Sequence, residues 1–294
     1  MRTVFLGTSD FAVAVLERLA GSDHAPLLVV TRPDRPRGRG RRVSPPPVAE
    51  AARRLGIELL QPPSVNEEQA RAQIARRRPE VVCVCAFGAL IKEPLLSDYR
   101  MLNVHPSLLP RWRGAAPIER AIMAGDELTG VSIMRVTEGL DSGPVYLQET
   151  EPIDHGDTYG TLAVRLERLG GELLVRTLDE FPPSVEQDDS LATYAEKISA
   201  ADRRLDPSQP AAAVERVVRA LTPHIGALVE LADESLLGVR EARAVDDGPP
   251  AGVVSLDGRR PVLGCADGAL ELLAVHPPGR RPMSGEDYLR GLRR

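Results

Sequence analysis

The feature that most constrains this chain is the alternation of short apolar strands with helices along its N-terminal half. Thr3–Leu6, Leu27–Val30, Ile57–Leu60 and Val81–Ala86 are apolar almost throughout and rich in Val and Leu. Helical patterns lie between them. Asp10–Ala20 carries Phe11, Val15, Leu16 and Leu19 on one face and closes at Gly21; Val48–Leu55 stops at Gly56, and Glu67–Arg78 has a polar face. Strands apolar on both faces need cover on both sides, and crossover helices that supply it impose a parallel sheet. The predicted fold is therefore α/β, with a Rossmann-like, mostly parallel sheet in the N-terminal domain. Such sheets bind ligands beyond the carboxyl ends of their strands. Chemistry is expected just after Leu6, Val30, Ala86 and Val104.

From Val131 the pattern changes. Val131–Val136 and Val145–Glu149 flank a turn, Glu138-Gly139-Leu140-Asp141-Ser142-Gly143, and Thr158–Asp179 reads as one long helix. Phe181 to Pro207 is polar, without a long apolar run, and reads as a linker. A helix over Ala211–Leu221 then precedes about five short strands separated by Gly and Asp turns, the pattern of a small β-barrel. The 294 residues fit two domains at roughly 150 residues each. We place the first at 1–180, the linker at 181–208 and the second at 209–294.

Composition narrows the function classes. Hydrophobic residues are 43% and charged residues 27% of the chain, so it has material for a core and is not a disordered or fibrous protein. The longest uncharged apolar run, Val81–Ile91, falls short of the roughly 20 residues of a membrane span, and the N-terminal apolar stretch is too short for a signal peptide. A cytoplasmic protein without membrane association is expected. Three cysteines make no disulfide framework, and Cys83 and Cys85 read as buried core residues. The first strand leads into Gly7-Thr8-Ser9-Asp10-Phe11, which lacks the glycines of a dinucleotide fingerprint, and no phosphate loop is present. The five histidines form no close pair of the kind metal sites use, so no metal is expected.

Net charge is −5, yet residues 31–48 hold Arg32, Arg35, Arg37, Arg39, Arg41 and Arg42 against the single acid Asp34. One dense basic segment on an acidic chain favours contact with a polyanion through that element, over the plain reading of a solvated face. The densest run of unusual residues is Asn103-Val104-His105-Pro106-Ser107-Leu108-Leu109-Pro110-Arg111-Trp112-Arg113-Gly114, after a short strand at Met101–Val104. In extended chain, residues two apart share a face, and Pro106 keeps His105 extended. Asn103 and His105 then present an amide and an imidazole to one cleft, a pair suited to stabilising an oxyanion. Asp141, in a glycine-flanked turn, supplies a carboxylate that would orient the ring and take a proton from an attacking amine. Spacing alone does not bring it to His105, and a surface Asp in an ordinary hairpin is the alternative. Trp112 either stacks on a base or ribose or braces its loop.

Asn103-Val104-His105, Ser107-Leu108-Leu109-Pro110, Gly114-Ala115-Ala116-Pro117-Ile118 and Leu140-Asp141-Ser142-Gly143 together resemble the formyltransferase family that uses formyltetrahydrofolate. The basic segment from Thr31 and the stretch Thr193–Ile198 are similar to its methionyl-tRNA branch. The resemblance implies a C-terminal barrel of the oligonucleotide-binding (OB) type that contacts tRNA. It implies 10-formyltetrahydrofolate as formyl donor and initiator methionyl-tRNA as acceptor for translation initiation, in a monomer. The family's catalytic residues fall on Asn103, His105 and Asp141. Its folate contacts fall on Phe87, Gly88, Leu90, Ile91, Ser107, Leu108, Leu109, Pro110, Val136 and Leu140. Its tRNA-contacting loop falls on Arg35, Arg37, Arg39, Arg41 and Arg42. Departures from the family pattern are Phe87 for Tyr, Glu119 for Gln, and the absence of Trp from 221–226. The alternatives are formylation of a small amine, such as glycinamide ribonucleotide or an amino sugar nucleotide, and a catalytically silent tRNA-binding protein.

Overall fold

The computed structural model describes residues 1–37 and 42–292. The chain forms two compact units, one of residues 1–114, 129–152 and 163–194, the other of residues 115–128, 153–162 and 195–294.

The first unit is built on a seven-stranded sheet. Its spatial order is Val145–Pro152, Leu128–Arg135, Met101–His105, Val81–Cys85, Thr3–Gly7, Pro26–Val30 and Leu59–Leu60. The five strands from Met101–His105 to Leu59–Leu60 run parallel, and Leu128–Arg135 is antiparallel to Met101–His105. The mostly parallel, Rossmann-like sheet follows from strands such as Val-Val-Cys-Val-Cys, every residue of which is buried. Val4, Leu6, Leu28, Val30, Val82 and Val84 share one core cluster with Phe87 and Met101. The alternate residues belong to the other face, where Gly170 of the helix Tyr159–Glu180 closes onto Val104, Val131 and Val15. Ser9 caps the helix Asp10–Ala20 by accepting from the Ala12 amide.

Strand order reverses at the adjacent pair Thr3–Gly7 and Val81–Cys85, since the chain first builds outward to Leu59–Leu60 and then returns. A crevice opens at the carboxyl ends of strands at such a point. Here the hydroxyl of Thr8 donates to the Phe87 carbonyl at 2.7 Å, tying the two loops together. The basic segment forms a two-stranded ribbon, Arg35–Arg37 against Arg42–Ser44; the sequence patterns do not distinguish it from a loop.

The second unit holds an antiparallel sheet in the order Ala227–Glu230, Leu236–Val245, Ala269–His276, Val262–Gly264 and Val254–Ser255, with Met283–Ser284 also on Ala269–His276. Register shifts near Glu241 let the long strand Leu236–Val245 bend, giving a curled half-barrel. The helix Ala211–Ala220 covers it through Val214 and Val218, which join Val229, Leu237, Val239 and Leu272 in one core. A last helix, Gly285–Leu292, was not legible in the sequence patterns because only two of its residues are buried.

Candidate active site

Asn103 and His105 lie at the carboxyl end of their strand, Asn103 paired with Val84 of the parallel neighbour and His105 with Ser132 of the antiparallel one. Asn103 is half-buried and His105 is 3% exposed. Asp141 arrives from the turn that joins the two antiparallel strands of the sheet, with φ +46, a left-handed conformation that Asp tolerates better than most residues. Its carboxylate lies between the other two groups. Oδ1 is 3.5 Å from Asn103 Nδ2, and Oδ2 is 3.6 Å from His105 Nδ1 while accepting from the Gly114 amide at 3.0 Å. The second ring nitrogen of His105 pairs with the Trp112 carbonyl at 2.9 Å. Both ring nitrogens thus face oxygen atoms. The structure therefore brings Asp141, which spacing alone leaves apart, to Asn103 and His105.

The surrounding loops carry backbone strain. Ala86 (φ +43), directly after the strand Val81–Cys85, Trp112 (φ +62) and Asp141 all hold left-handed conformations. Such residues persist only where neighbouring contacts over-determine them. Trp112 is held by its amide, which donates to the Thr193 hydroxyl at 2.9 Å, and Arg111 stacks on its ring at 4.5 Å.

The residues expected to contact folate fall into two kinds. Leu90 and Leu140 are 67% and 63% exposed, apolar side chains on the loops that carry Gly88 and Asp141. Gly88 is exposed at φ +67. Phe87, by contrast, is buried in the core cluster, with Ile91 and Val136 packed against it. Ser107 is buried and donates to the Arg111 carbonyl, and Leu109 is buried with its amide donating to Ser132 Oγ; Leu108 and Pro110 are half-buried. The loop 86–92 is tied down by Asn66, which has no sequence signal, and by Arg32 of the basic segment. Asn66 donates to the Leu90 carbonyl and accepts from the Lys92 amide, and Arg32 donates to the Gly88 carbonyl. Among the arginines expected at tRNA, Arg35 is exposed on the ribbon, whose last pair joins Arg37 with Arg42. Arg39 and Arg41 lie outside the described residues.

Two thiols near the switch point play no part in this arrangement. Burial pushes the Cys83 thiol up to about 12 and Cys85 still higher, so neither is a nucleophile at neutral pH.

Residues 1–178 match the family model for formyl transferase, and residues 197–293 match that of the formyl transferase C-terminal domain. Fold and family models together define the class: a two-part formyltransferase. Methionyl-tRNA formyltransferase of Halorhodospira halophila is 43% identical, covering 99% of this chain and 96% of that protein. The enzyme of the same name from Methylococcus capsulatus is 41% identical over 98% and 96%. The chain belongs to the methionyl-tRNA formyltransferase family. Among solved structures, HypX from Aquifex aeolicus in complex with tetrahydrofolic acid matches with a TM-score of 0.66 at 18% identity. That match covers 98% of this chain, which spans about half of HypX (47%). An N-formyltransferase from Helicobacter canadensis, solved with folinic acid and dTDP-3-aminofucose, matches with a TM-score of 0.68 at 14% identity, over 92% of this chain and 99% of that one. At such identities the likeness is one of fold.

Proposed function

We propose that this enzyme transfers a formyl group from 10-formyltetrahydrofolate to the free α-amino group of methionine on initiator methionyl-tRNA, as a cytoplasmic step of translation initiation. The observation that carries the reading is near full-length likeness, at 41–43% identity, to methionyl-tRNA formyltransferases. A sugar N-formyltransferase of the same fold, from a Shewanella species, is far more distant at 19% identity. Formylation of a small amine is disfavoured on that ground.

The chemistry proposed for the site follows from its groups. The methionine amine attacks the formyl carbon, and the carbonyl oxygen becomes an oxyanion. The Asn103 amide donates to that oxygen, and so does His105 Nδ1, the ring nitrogen not spent on the Trp112 carbonyl. The Asp141 carboxylate, 3.6 Å from the ring, orients it and takes up the proton that the attacking amine must lose. Collapse of the tetrahedral species re-forms the carbonyl and returns the bonding pair to the folate nitrogen, which takes back the proton held by Asp141 and leaves as tetrahydrofolate. Leu90, Leu140 and the Gly88 turn offer apolar surface and close backbone approach for the folate ring. The ribbon arginines contact tRNA phosphates. The catalytic part is taken as 1–180, the connection as 181–208 and the tRNA-contacting barrel as 209–294.

The test is a direct assay. Purified protein with methionyl-tRNA and 10-formyltetrahydrofolate should yield a tRNA-bound methionine whose amine no longer reacts with an amine reagent, while glycinamide ribonucleotide and amino sugar nucleotides remain unformylated. Preferential formylation of a small amine overturns the substrate assignment. Tight tRNA binding without folate turnover overturns the enzyme reading.

A further inference from the structure

The segment after the long helix supplies none of the reacting groups, yet it reaches the turn that carries Asp141. Val185 pairs with Val145 in an antiparallel bridge, with both amide-to-carbonyl bonds at 2.8 Å. Two residues on, Gln187 lies alongside Gly143, two residues back on the other strand. Its side-chain Nε2 donates to the carbonyls of Asp141 (2.9 Å) and Gly143 (2.7 Å), so both amide hydrogens are spent on one turn. Its Oε1 accepts from Arg113 Nε at 2.9 Å. That contact fixes which way round the amide sits, because a guanidinium has donors only and must face the oxygen. Arg113 is itself 3% exposed and held by Asp189 at 2.7 Å. The next residue, Gly114, gives its amide to the Asp141 carboxylate from the opposite side.

We propose that Gln187 is a positioning residue for the reaction: oriented by Arg113, its amide clips the Asp141 turn and sets the carboxylate against His105 and Asn103. The turn needs such a clip, since Asp141 sits in a left-handed conformation that a free loop would relax. The carboxylate's distances to the amide and the ring, 3.5 and 3.6 Å, are at or beyond the limit of a hydrogen bond, so a small shift of the turn alters both contacts. This inference rests on the reading of Asp141 as the catalytic carboxylate.

The experiment is a kinetic double-mutant cycle. Gln187→Glu keeps the side chain's shape and its partner Arg113 but has no donor for the two carbonyls. Gln187→Met removes the donors without adding charge and carries the same expectation where the charged variant folds poorly. Either variant should lower kcat for methionyl-tRNA formylation roughly ten- to a hundred-fold while KM for both substrates stays within about two-fold. In an Asp141→Asn background, itself strongly impaired, the second substitution should cost little more. Wild-type kcat in both Gln187 variants, or a full multiplicative loss on top of Asp141→Asn, overturns the positioning role. Near wild-type turnover of Asp141→Asn alone overturns the catalytic reading and this inference with it.

Discussion

Asp141 illustrates how single residues set this site. Its backbone is bent into a conformation few side chains accept, and the two glycines beside it make the bend possible. A Cβ on Gly143 would overlap the Arg135 carbonyl oxygen. The acid's neighbours are nearly as constrained, since His105 is enclosed and pairs through its second nitrogen with a backbone carbonyl. Removing either donor at the reacting oxygen should therefore be costly without unfolding the protein. Asn103→Ala and His105→Ala are each expected to lose roughly 10²–10³-fold in kcat, measured as formylation turnover at saturating substrates. Wild-type turnover in either variant would remove that side chain from the proposed chemistry. The buried thiols make a contrasting case. Cys83 and Cys85 should resist alkylation by iodoacetamide at pH 8 in the folded protein and react once it is denatured, because burial holds both as thiols.

At the scale of elements, the strand Met101–His105 owes its placement to a helix that touches no reacting group. Gly170, within Tyr159–Glu180, lets that helix approach so closely that a Cβ there would come within 2.9 Å of Val104 Cγ1, one residue before His105. Gly170→Val should overpack this contact, costing roughly 1–3 kcal/mol in denaturant unfolding, with a fall in kcat as the strand shifts. In the second unit, Asp202 accepts from Arg120 at 2.7 Å and from the amide and hydroxyl of Ser199. The Arg120 hydrogen bond first, then those from Ser199, hold its carboxyl well below its ordinary 3.8 against the opposing effect of burial. A folded-state value below the unfolded one adds stability above the unfolded value and loses it as pH falls toward the folded one. The stability gap between wild type and Asp202→Asn should therefore be full at pH 7 and shrink below about pH 4. A gap independent of pH would rule out the ionised carboxylate as its source. Within this unit Glu119 also pairs with His224 at 3.0 Å, and Tyr159 stacks on the His224 ring.

Taken whole, the protein is an acidic molecule with a net charge of −5 whose proposed polyanion contact is concentrated in one ribbon. Each phosphate that the ribbon neutralises should add to the salt dependence of binding. Replacing Arg37, Arg39, Arg41 and Arg42 with Gln should raise KM for methionyl-tRNA and flatten its dependence on log salt, with KM for the formyl donor unchanged. An unchanged slope would take the ribbon out of the tRNA contact. The α/β class and the later half-barrel were legible in the sequence because apolar periodicity is local. A buried parallel strand such as Val81–Cys85 reads as a continuous apolar run, and the short strands of the second unit are marked by their turns.

By itself, then, the sequence determined the two sheet types, the strand end that carries Asn103 and His105, and the family. It could not determine that Asp141 meets them, because no local rule closes the 35 residues of chain between His105 and Asp141 onto a 3.6 Å contact. It gave no sign of Gln187, an ordinary polar residue in a polar stretch. Both depend on antiparallel pairing between distant strands, whose register is fixed by side chains packing across the sheet rather than by the residues next in line.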